Sequence, residues 1–418
     1  MKNIAFDRVK FAFDIERFFI CMSQPLPFDL TSDTNPTNAM SLHDFSIVET
    51  TLREGEQFCK ARFSSSDKVE IAKALDSFGV EYIELTSPRV SIYSRKDCHQ
   101  IAELGLKSKV LTHIRCNLED AKVAVDTGVD GINIVIGTSD LLRYFSHGKS
   151  IEEIIEIASK VLGFIRQANP RIELRFSTED SFRSSLSDLL RVYLEIDRLG
   201  LVDRFGIADT VGIATPSQVF ELVKILRQTT QKDIEFHGHN DTGCAIANSY
   251  TALEAGATHI NTTVLGIGER NGITPLEGLV ARLYVLNPEA IERKYALGSL
   301  GSICKLVADK VGVEIPFDRC IVGSASFSHK AGIHTKAVLK NSRTYEIIAP
   351  EDFGLERTML IDHPLTGKYA ISHRCHQLGL NLSPDKLVVA TQKIKDLAYT
   401  RQISLEGIDR ILVEFSQS

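Results

Sequence analysis

Two histidines separated by one residue carry the clearest chemical signal in this sequence. His237 and His239 would share one face of a β-strand, because side chains alternate between the two faces. Glu54, from another strand, would complete a three-ligand site for a divalent metal. Nitrogen and oxygen ligands suit Mg²⁺, Mn²⁺, Zn²⁺ or Co²⁺ and do not select among them. A strand histidine is more often packed or hydrogen-bonded, so the metal interpretation depends on where the strands bring these residues.

A metal held by only three protein ligands keeps positions open for a substrate. It could bind the carboxylate and keto oxygen of a 2-oxo acid and polarise the ketone as a Lewis acid. Arg53, beside Glu54, would stabilise the alkoxide that forms on attack. Further donors for carboxylate oxygens stand at other predicted strand ends, at His113, Arg175 and Thr210. The alternative for both arginines is ion pairing with Glu54 and Glu179, which leaves the histidines unexplained.

Short β-rich runs alternate with helical-period stretches from Phe45 onward. The predicted strands are Phe45–Leu52, Val80–Thr86, Lys109–Arg115, Gly131–Thr138, Arg171–Ser177, Asp203–Thr210, Asp233–Asn240 and His259–Gly266. Helical stretches between them include Asp67–Phe78, Ile151–Gln167, Ser187–Leu199 and Ser217–Arg227. Eight such units fit a closed (β/α)₈ TIM barrel better than a doubly wound sheet, whose GxGxxG turn is missing. Active sites of such barrels lie at the C-terminal strand ends, and this position favours the metal interpretation.

The alternation stops near Pro316, and helical patterns such as Lys386–Tyr399 and Leu405–Phe415 follow. The sequence therefore predicts three parts. They are a poorly ordered N-terminal extension over residues 1–43, a catalytic TIM barrel over 44–315 and a helical C-terminal subdomain over 316–418. We expect the C-terminal subdomain to pack against the barrel mouth or a partner subunit.

Charge and composition argue against several classes of partner. The 48 basic and 54 acidic residues give a net charge of -6, without the basic surface that nucleic acid or an anionic membrane requires. No apolar run reaches the roughly 18 residues of a membrane span. Eight scattered cysteines, with no CxxC pair, indicate reduced thiols in an intracellular protein. Asp7, Asp14 and Glu16 disfavour a mitochondrial transit peptide, so we expect a cytoplasmic protein.

Four motifs give the chain a family resemblance. They are T-L-R-E-G-E-Q (Thr51–Gln57, followed by Lys68), H-G-H-N-D-T-G (His237–Gly243), G-I-G-E-R-N-G-I-T-P-L (Gly266–Leu276) and S-H-K-A-G-I-H (Ser328–His334). They resemble the signatures of the homocitrate and isopropylmalate synthases, a family of the DRE-TIM metallolyase superfamily. Glu54 in R-E-G-E-Q, and R-F-S-T-E-D-S-F-R from Arg175 to Arg183, look like the homocitrate branch.

The resemblance implies an acyltransferase that condenses acetyl-CoA with 2-oxoglutarate, the first step of the α-aminoadipate route to lysine. It places the metal on Glu54, His237 and His239. It places 2-oxoglutarate on Arg53, His113, Arg175, Ser177 and Thr210. It makes His334, assisted by Tyr345, the base that takes a proton from the acetyl methyl of acetyl-CoA. Both would come from the partner chain of a homodimer with shared active sites.

Two positions depart from the family pattern. Many isopropylmalate synthases have an asparagine metal ligand where this chain has Ile273, so we expect no fourth protein ligand. Homocitrate synthases that sense lysine resemble one another in a fourth-strand aspartate paired with a seventh-strand glutamate. Here the two positions are Asn133 and Glu235, which predicts weak inhibition by lysine.

Three alternatives stay open. A sibling synthase would use another 2-oxo acid and form 2-isopropylmalate, citramalate or phosphonomethylmalate, but a branched alkyl group would leave Arg175 unpaired. A carbon–carbon lyase of the same superfamily generally lacks the His334 region in trans. A degenerate barrel kept only for binding would have gaps among the ligands and the base, and none is missing.

Overall fold

The computed structural model describes residues 45–417, and these residues contain the predicted barrel. Eight parallel strands pair in chain order, and β1 pairs with β8 to close the sheet. The strands are β1 (Ser46–Glu49), β2 (Tyr82–Leu85), β3 (Lys109–Arg115), β4 (Gly131–Gly137), β5 (Glu173–Glu179), β6 (Arg204–Asp209), β7 (Asp233–Gly238) and β8 (His259–Thr262). The extension over 1–43 lies outside the described residues, and the domain boundaries stay predictions.

Helices follow the strands along the chain. The longer helices are α1 (Ser65–Phe78), α2 (Ile92–Ala102), α3 (Leu118–Val125), α4 (Ile151–Ala168), α5 (Leu186–Arg198), α6 (Pro216–Thr229), α7 (Ala245–Glu254), α8 (Leu276–Leu286), α9 (Pro288–Lys294), α10 (Leu300–Val311), α11 (Gly332–Val338), α12 (Lys368–Gln377), α13 (Pro384–Thr400) and α14 (Leu405–Gln417). Shorter helical turns include Gly55–Gln57, Asp140–Leu142, Arg143–His147, Ser181–Arg183, Val264–Gly266, Leu297–Ser299, Ser342–Thr344 and Pro350–Phe353.

Helix α4 shows why these segments are helical. Ser150 and Glu153 form a capping box at its start, in which each side chain accepts a hydrogen bond from the other residue's backbone N–H. Apolar residues recur along α4 with the helical period, and the buried ones are Ile151, Ile154, Ala158, Val161, Leu162 and Ile165. Similar boxes begin α1 at Ser64 and α6 at Thr215.

The outer face of the barrel strands carries apolar side chains and the inner face carries polar ones, as β5 shows. On β5, the apolar Leu174 and Phe176 are fully buried and alternate with Arg175 and Ser177. Alternation turns the first pair toward the surrounding helices and the second pair toward the barrel axis. Burial of the apolar outer face stabilises the barrel, so the inner face can carry polar and charged side chains.

The C-terminal subdomain is helical, as predicted, with a small sheet in addition. Helices α12, α13 and α14 contribute to an apolar cluster of Ile361, Ala370, Ile371, Cys375, Ala390, Ile394, Ile403, Ile408, Ile411 and Leu412. Before them, β9 (Ser328–His329) pairs in parallel with β10 (Thr358–Met359). Strands of two residues are too short to show an alternating pattern in sequence. Within residues 45–417, no helix is both long and apolar enough to span a membrane.

Candidate active site

A tight turn after β1 brings Arg53 and Glu54 to the mouth of the barrel. Strand β1 ends at Glu49, earlier than predicted. The backbone N–H groups of Arg53 and Glu54 then donate to the Thr50 carbonyl, at 3.0 and 2.7 Å. The Arg53 guanidinium donates to Glu54 and to Glu84 of β2, each at 2.6 Å. Arg53 therefore connects the turn to the barrel interior.

Glu54, His237 and His239 converge at this mouth. One ligand atom of each lies within 4.8 Å of the others, and no further His, Cys, Asp or Glu in residues 45–417 joins the group. The two histidine Nε2 atoms are 3.3 Å apart, and His237 Nε2 is 3.9 Å from Glu54 Oε2. Such separations suit ligands that share a metal at about 2.0–2.2 Å. The three predicted ligands are close enough to hold one divalent ion.

Hydrogen bonds from outside this cluster orient its members. His237 Nδ1 lies 3.0 Å from the side-chain oxygen of Asn261, so Nδ1 donates and Nε2 keeps its lone pair for a ligand. Glu54 Oε1 accepts from the backbone N–H of Glu269 at 2.9 Å. Asn261 is not among the site residues predicted from the sequence. Its position on β8, the strand next to β7, is the feature that could have identified it.

The charges in the cluster suit a metal at neutral pH. Burial raises the pKa of the Glu54 carboxyl, but the charge of Arg53 opposes burial most strongly, and this pKa is lowered to about 2. Burial lowers the pKa of His237 well below its usual 6.5, and it also lowers the pKa of His239. An ionised carboxylate beside two neutral imidazoles is the protonation state that binds a metal ion.

The loop after β8 needs glycine to approach Glu54. A Cβ at Gly268 would lie 2.9 Å from Glu54 Oε1. At Gly272, φ is +70° and a Cβ would lie 1.7 Å from the Gly266 carbonyl oxygen, which no other residue type could accommodate. The G-I-G-E-R-N-G motif therefore lets the backbone wrap closely around the Glu54 carboxylate.

Glu84 connects three polar residues inside the barrel. It is fully buried and accepts hydrogen bonds from Arg53 and from the Asn133 amide. His113 Nδ1 lies 3.5 Å from Glu84 Oε1 and, within residues 45–417, has no hydrogen-bond partner. Burial raises the pKa of Glu84, but the charge of Arg53 opposes burial most strongly, and the pKa lies well below its usual value. Burial lowers the pKa of His113, so this imidazole is neutral and can donate to a ligand.

Arg175 pairs with Glu235 of β7, and the predicted alternative of a pair with Glu179 is wrong. Glu235 also pairs with Arg204, at 2.9 Å. In the described part of the chain, Arg175 Nε is buried and has no hydrogen-bond partner. The Nε–H of this guanidinium is therefore not used within residues 45–417 and could donate to a ligand. Arg53 does pair with its neighbour Glu54, and this pair lies within the cluster rather than replacing it.

Glu179 was expected from the sequence only as an ion-pair partner, but it is also a candidate for proton transfer. Strand β5 continues to this residue, beyond the predicted end at Ser177. Burial raises the pKa of the Glu179 carboxyl, against the opposing effect of Arg53. This carboxyl therefore stays protonated to a higher pH than a surface glutamate and could transfer a proton near the mouth.

The two predicted hydroxyl donors, Ser177 and Thr210, are also at the mouth. Ser177 packs against Gly206, where a Cβ would lie 2.6 Å from the serine hydroxyl. Thr210 accepts from the Asp180 backbone N–H at 2.8 Å, so its own hydrogen is free to donate. A cavity of about 690 Å³ opens next to β2 and β3, with Arg53, Thr86, His113 and Arg115 among its lining residues. Small-molecule sites have volumes of roughly 300–1,000 Å³.

His334 and Tyr345 lie together in the C-terminal subdomain. Their ring centroids are 4.1 Å apart and both side chains are exposed. Within residues 45–417, no hydrogen bond, ion pair or ring contact joins them to Glu54, His237 or His239 of the same chain. The structure brings the two predicted proton-transfer residues to each other but not to this cluster.

Known proteins resemble this chain over most of its length. Residues 44–307 match the family described as HMGL-like, and residues 321–402 match the family described as homocitrate synthase post-HMGL domain-like. The mitochondrial homocitrate synthase of Schizosaccharomyces pombe is 55% identical over 91% of each chain. This chain belongs to the homocitrate synthase family. The cytosolic isozyme of Saccharomyces cerevisiae is 54% identical over 90% of this chain and 87% of its own.

Family membership establishes the class of enzyme and separates it from the lyases. The chain is a metal-dependent transferase that uses acetyl-CoA, and the metal itself is not identified by the family. HMG-CoA lyase of Bacillus subtilis aligns with a TM-score of 0.58 at 22% identity, over 66% of this chain and 96% of its own. That similarity concerns the barrel fold alone.

The predicted cytoplasmic location is contradicted by the names of the relatives. The homocitrate synthases of Schizosaccharomyces pombe and Yarrowia lipolytica are named mitochondrial. Saccharomyces cerevisiae has one relative named mitochondrial and one named cytosolic, each 54% identical to this chain. A few acidic residues near the N-terminus are therefore insufficient to assign the compartment.

We expect the protein to bind one Mn²⁺ per chain at the Glu54 cluster. Glu54→Gln removes the ligand charge, and His237→Ala removes an imidazole, so each should weaken binding by at least about tenfold. Calorimetric titration of chelator-treated protein with Mn²⁺ measures this affinity. His376→Ala, which removes an exposed histidine on α12, serves as the control. Equal Mn²⁺ affinity in all four proteins would rule out this cluster as the metal site.

Proposed function

We propose that this chain condenses acetyl-CoA with 2-oxoglutarate and hydrolyses the thioester to give homocitrate and coenzyme A. The observation that carries the proposal is the Glu54–His237–His239 cluster, which lies beside Arg53 and near the half-buried His113. One side of the site offers metal ligands, and the other offers donors without partners. A dicarboxylic 2-oxo acid needs both. The reaction would begin the α-aminoadipate route to lysine.

A divalent ion would be held by the three cluster residues, and Mg²⁺, Mn²⁺, Zn²⁺ and Co²⁺ all suit them. When bound, it would act as a Lewis acid on the ketone of the 2-oxo acid. Arg53, next to Glu54, would stabilise the negative charge that develops on the keto oxygen. His113, Ser177, Thr210 and the free Nε of Arg175 would donate to the carboxylates.

His334 would remove a proton from the acetyl methyl, and the carbon left with the electron pair would bond to the keto carbon. Tyr345 contacts the imidazole of His334 and would hold it in position. The keto oxygen takes up the negative charge and is then protonated. Water next attacks the thioester carbonyl, the carbon–sulfur bond breaks, and a carboxylate and the thiol of coenzyme A are released.

Purified protein should release coenzyme A with 2-oxoglutarate faster than with 2-oxoisovalerate, pyruvate or phosphonopyruvate. Arg175 offers a buried donor to the distal carboxylate of 2-oxoglutarate. A substrate with a branched alkyl group instead of that carboxylate would leave the donor unpaired. A hydrogen bond to a charged group contributes about 1.5–3 kcal/mol, which corresponds to at least about tenfold in kcat/KM. A thiol-reactive dye records the rates. Preference for 2-oxoisovalerate would assign the chain to isopropylmalate synthesis instead.

We infer a homodimer in which His334 and Tyr345 of one chain complete the active site of the other. Both side chains are exposed, close to each other and without contact to the Glu54 cluster of their own chain. A base outside its own site could act on the site of a second copy.

Mixing inactive His334→Ala with inactive His237→Ala subunits should regenerate activity. In a mixed dimer, one of the two sites would receive an intact base and an intact metal cluster. Coenzyme A release after subunit exchange measures the effect, and exchange is followed with differently tagged chains. Exchange without recovered activity would contradict the shared site.

We also propose that Asn133 and Glu235 make lysine a weak inhibitor. The Asn133 amide donates to Glu84, and Glu235 is held by Arg175 and Arg204. A lysine ammonium at this position would therefore meet a neutral amide where an aspartate would offer a charge. Hydrogen bonds to charged groups contribute about 1.5–3 kcal/mol, against about 0.5–1.5 for neutral ones.

Asn133→Asp should tighten lysine inhibition by about tenfold, since 1.4 kcal/mol corresponds to a factor of ten. Inhibition constants for lysine in the wild type and the variant, at fixed 2-oxoglutarate, measure the change. If the constant is the same in both proteins, Asn133 has no part in lysine binding.

A further inference from the structure

Lys68 is a buried cation that the proposed reaction does not use. It lies on α1, is 8% exposed, and follows the first sequence motif along the chain. Its Nζ is 2.8 Å from Asp97 Oδ2 on α2 and 2.7 Å from Glu56 Oε1. The second oxygen of Asp97 accepts from the Ser65 hydroxyl. One ammonium therefore joins two helices to the turn that carries Glu56.

That turn, Gly55–Gln57, directly follows Glu54. With its side-chain amide oriented to satisfy its surroundings, Gln57 donates to both carboxylate oxygens of Glu54, at 3.0 and 3.2 Å. Glu56 lies between these two residues and is held by Lys68. The position of Lys68 thus affects Glu54 through the backbone on one side and through the Gln57 amide on the other.

The residues between β1 and α1 need a contact that fixes their position, because they form neither a strand nor a long helix. Strand β1 ends at Glu49 and α1 begins at Ser65, and the residues between them include only one short helical turn. A buried ion pair adds little net stability, because desolvation of the charges offsets their attraction. Its geometry is nevertheless specific, since a cation with two fixed acids allows few positions for Glu56. This favours a role in orientation over a role in stability.

We propose that Lys68 is a positioning residue, which fixes the turn after Glu54 and so sets the metal affinity of the Glu54 cluster. The inference rests on the proposed metal site and concerns a residue that touches neither metal nor substrate. Removing partners of metal ligands lowers metal affinity by about 10–100-fold in other proteins. Lys68 acts one contact further out, so the lower part of that range, about tenfold, is expected for its loss.

Calorimetric titration of chelator-treated protein with Mn²⁺ tests the proposal without an activity assay. Lys68→Met keeps the length of the side chain and removes its charge, and Mn²⁺ affinity should fall about tenfold. Lys68→Arg retains the charge and should recover most of the affinity. Lys310→Met is the matched control. Lys310 of α10 also bridges two acids, Asp67 and Glu70 of α1, but contacts no residue of the turn.

Thermal unfolding of the metal-free variants separates orientation from stability. A purely structural role would lower the melting temperature of Lys68→Met and leave its Mn²⁺ affinity at the wild-type value, which would overturn the proposal. If Lys68→Met does not fold, Asp97→Asn provides the test, because this variant weakens the hold on Lys68 and leaves the lysine charge in place. Unchanged Mn²⁺ affinity in Asp97→Asn would also overturn the proposal. A wild-type protein that binds no Mn²⁺ would instead overturn the metal site on which this inference rests.

Discussion

The double ion pair of Arg53 is the contact on which the site depends most. Its guanidinium donates to Glu54 at the mouth of the barrel and to Glu84 in the interior, each at 2.6 Å. The same charge lowers the pKa of both carboxyls, so that each is ionised although it is buried. Without Arg53, two buried carboxylates would lose their nearest cation. The Glu54 cluster and the interior network around Glu84 are therefore one electrostatic unit.

The barrel can hold this charged interior because its stability comes from elsewhere. The outward faces of the strands, such as Leu174 and Phe176 of β5, are fully buried and apolar. The inward faces carry charged residues whose ion pairs offset the cost of burying them: Glu84 pairs with Arg53, and Glu235 pairs with both Arg175 and Arg204. Side-chain alternation along a strand gives each face its own role. Polar residues that bind a ligand can thus change without removing the apolar packing.

Sequence patterns predicted the barrel because they are local. The strand–helix alternation, the helix-start signals and the alternation of Glu235 with His237 all act over a few residues. The Glu54 cluster could be predicted because the strands of a barrel end at one mouth. This brings together residues as distant in the chain as Glu54 and His237. The family resemblance implied roles that no local pattern gives, and those of His334 and Tyr345 stay predictions.

Contacts between residues far apart in the chain could not be predicted from the sequence. Asn261, which orients His237, has no distinctive motif, and its role follows only from the pairing of β7 with β8. The pairing of Arg175 with Glu235 rather than Glu179 depends on which side chain crosses the barrel axis. The two-residue strands β9 and β10 are fixed by tertiary contacts between separated segments, not by any repeating pattern.

We propose that one divalent ion, held by Glu54, His237 and His239, binds the 2-oxo acid beside Arg53. Anomalous diffraction from crystals grown with Mn²⁺ and 2-oxoglutarate tests this most directly. We expect one strong anomalous peak per chain among these three side chains. We also expect the keto and carboxylate oxygens of 2-oxoglutarate to bind the same ion, with the distal carboxylate toward Arg175. A peak at another position, or 2-oxoglutarate bound without contact to the ion, would contradict this proposal.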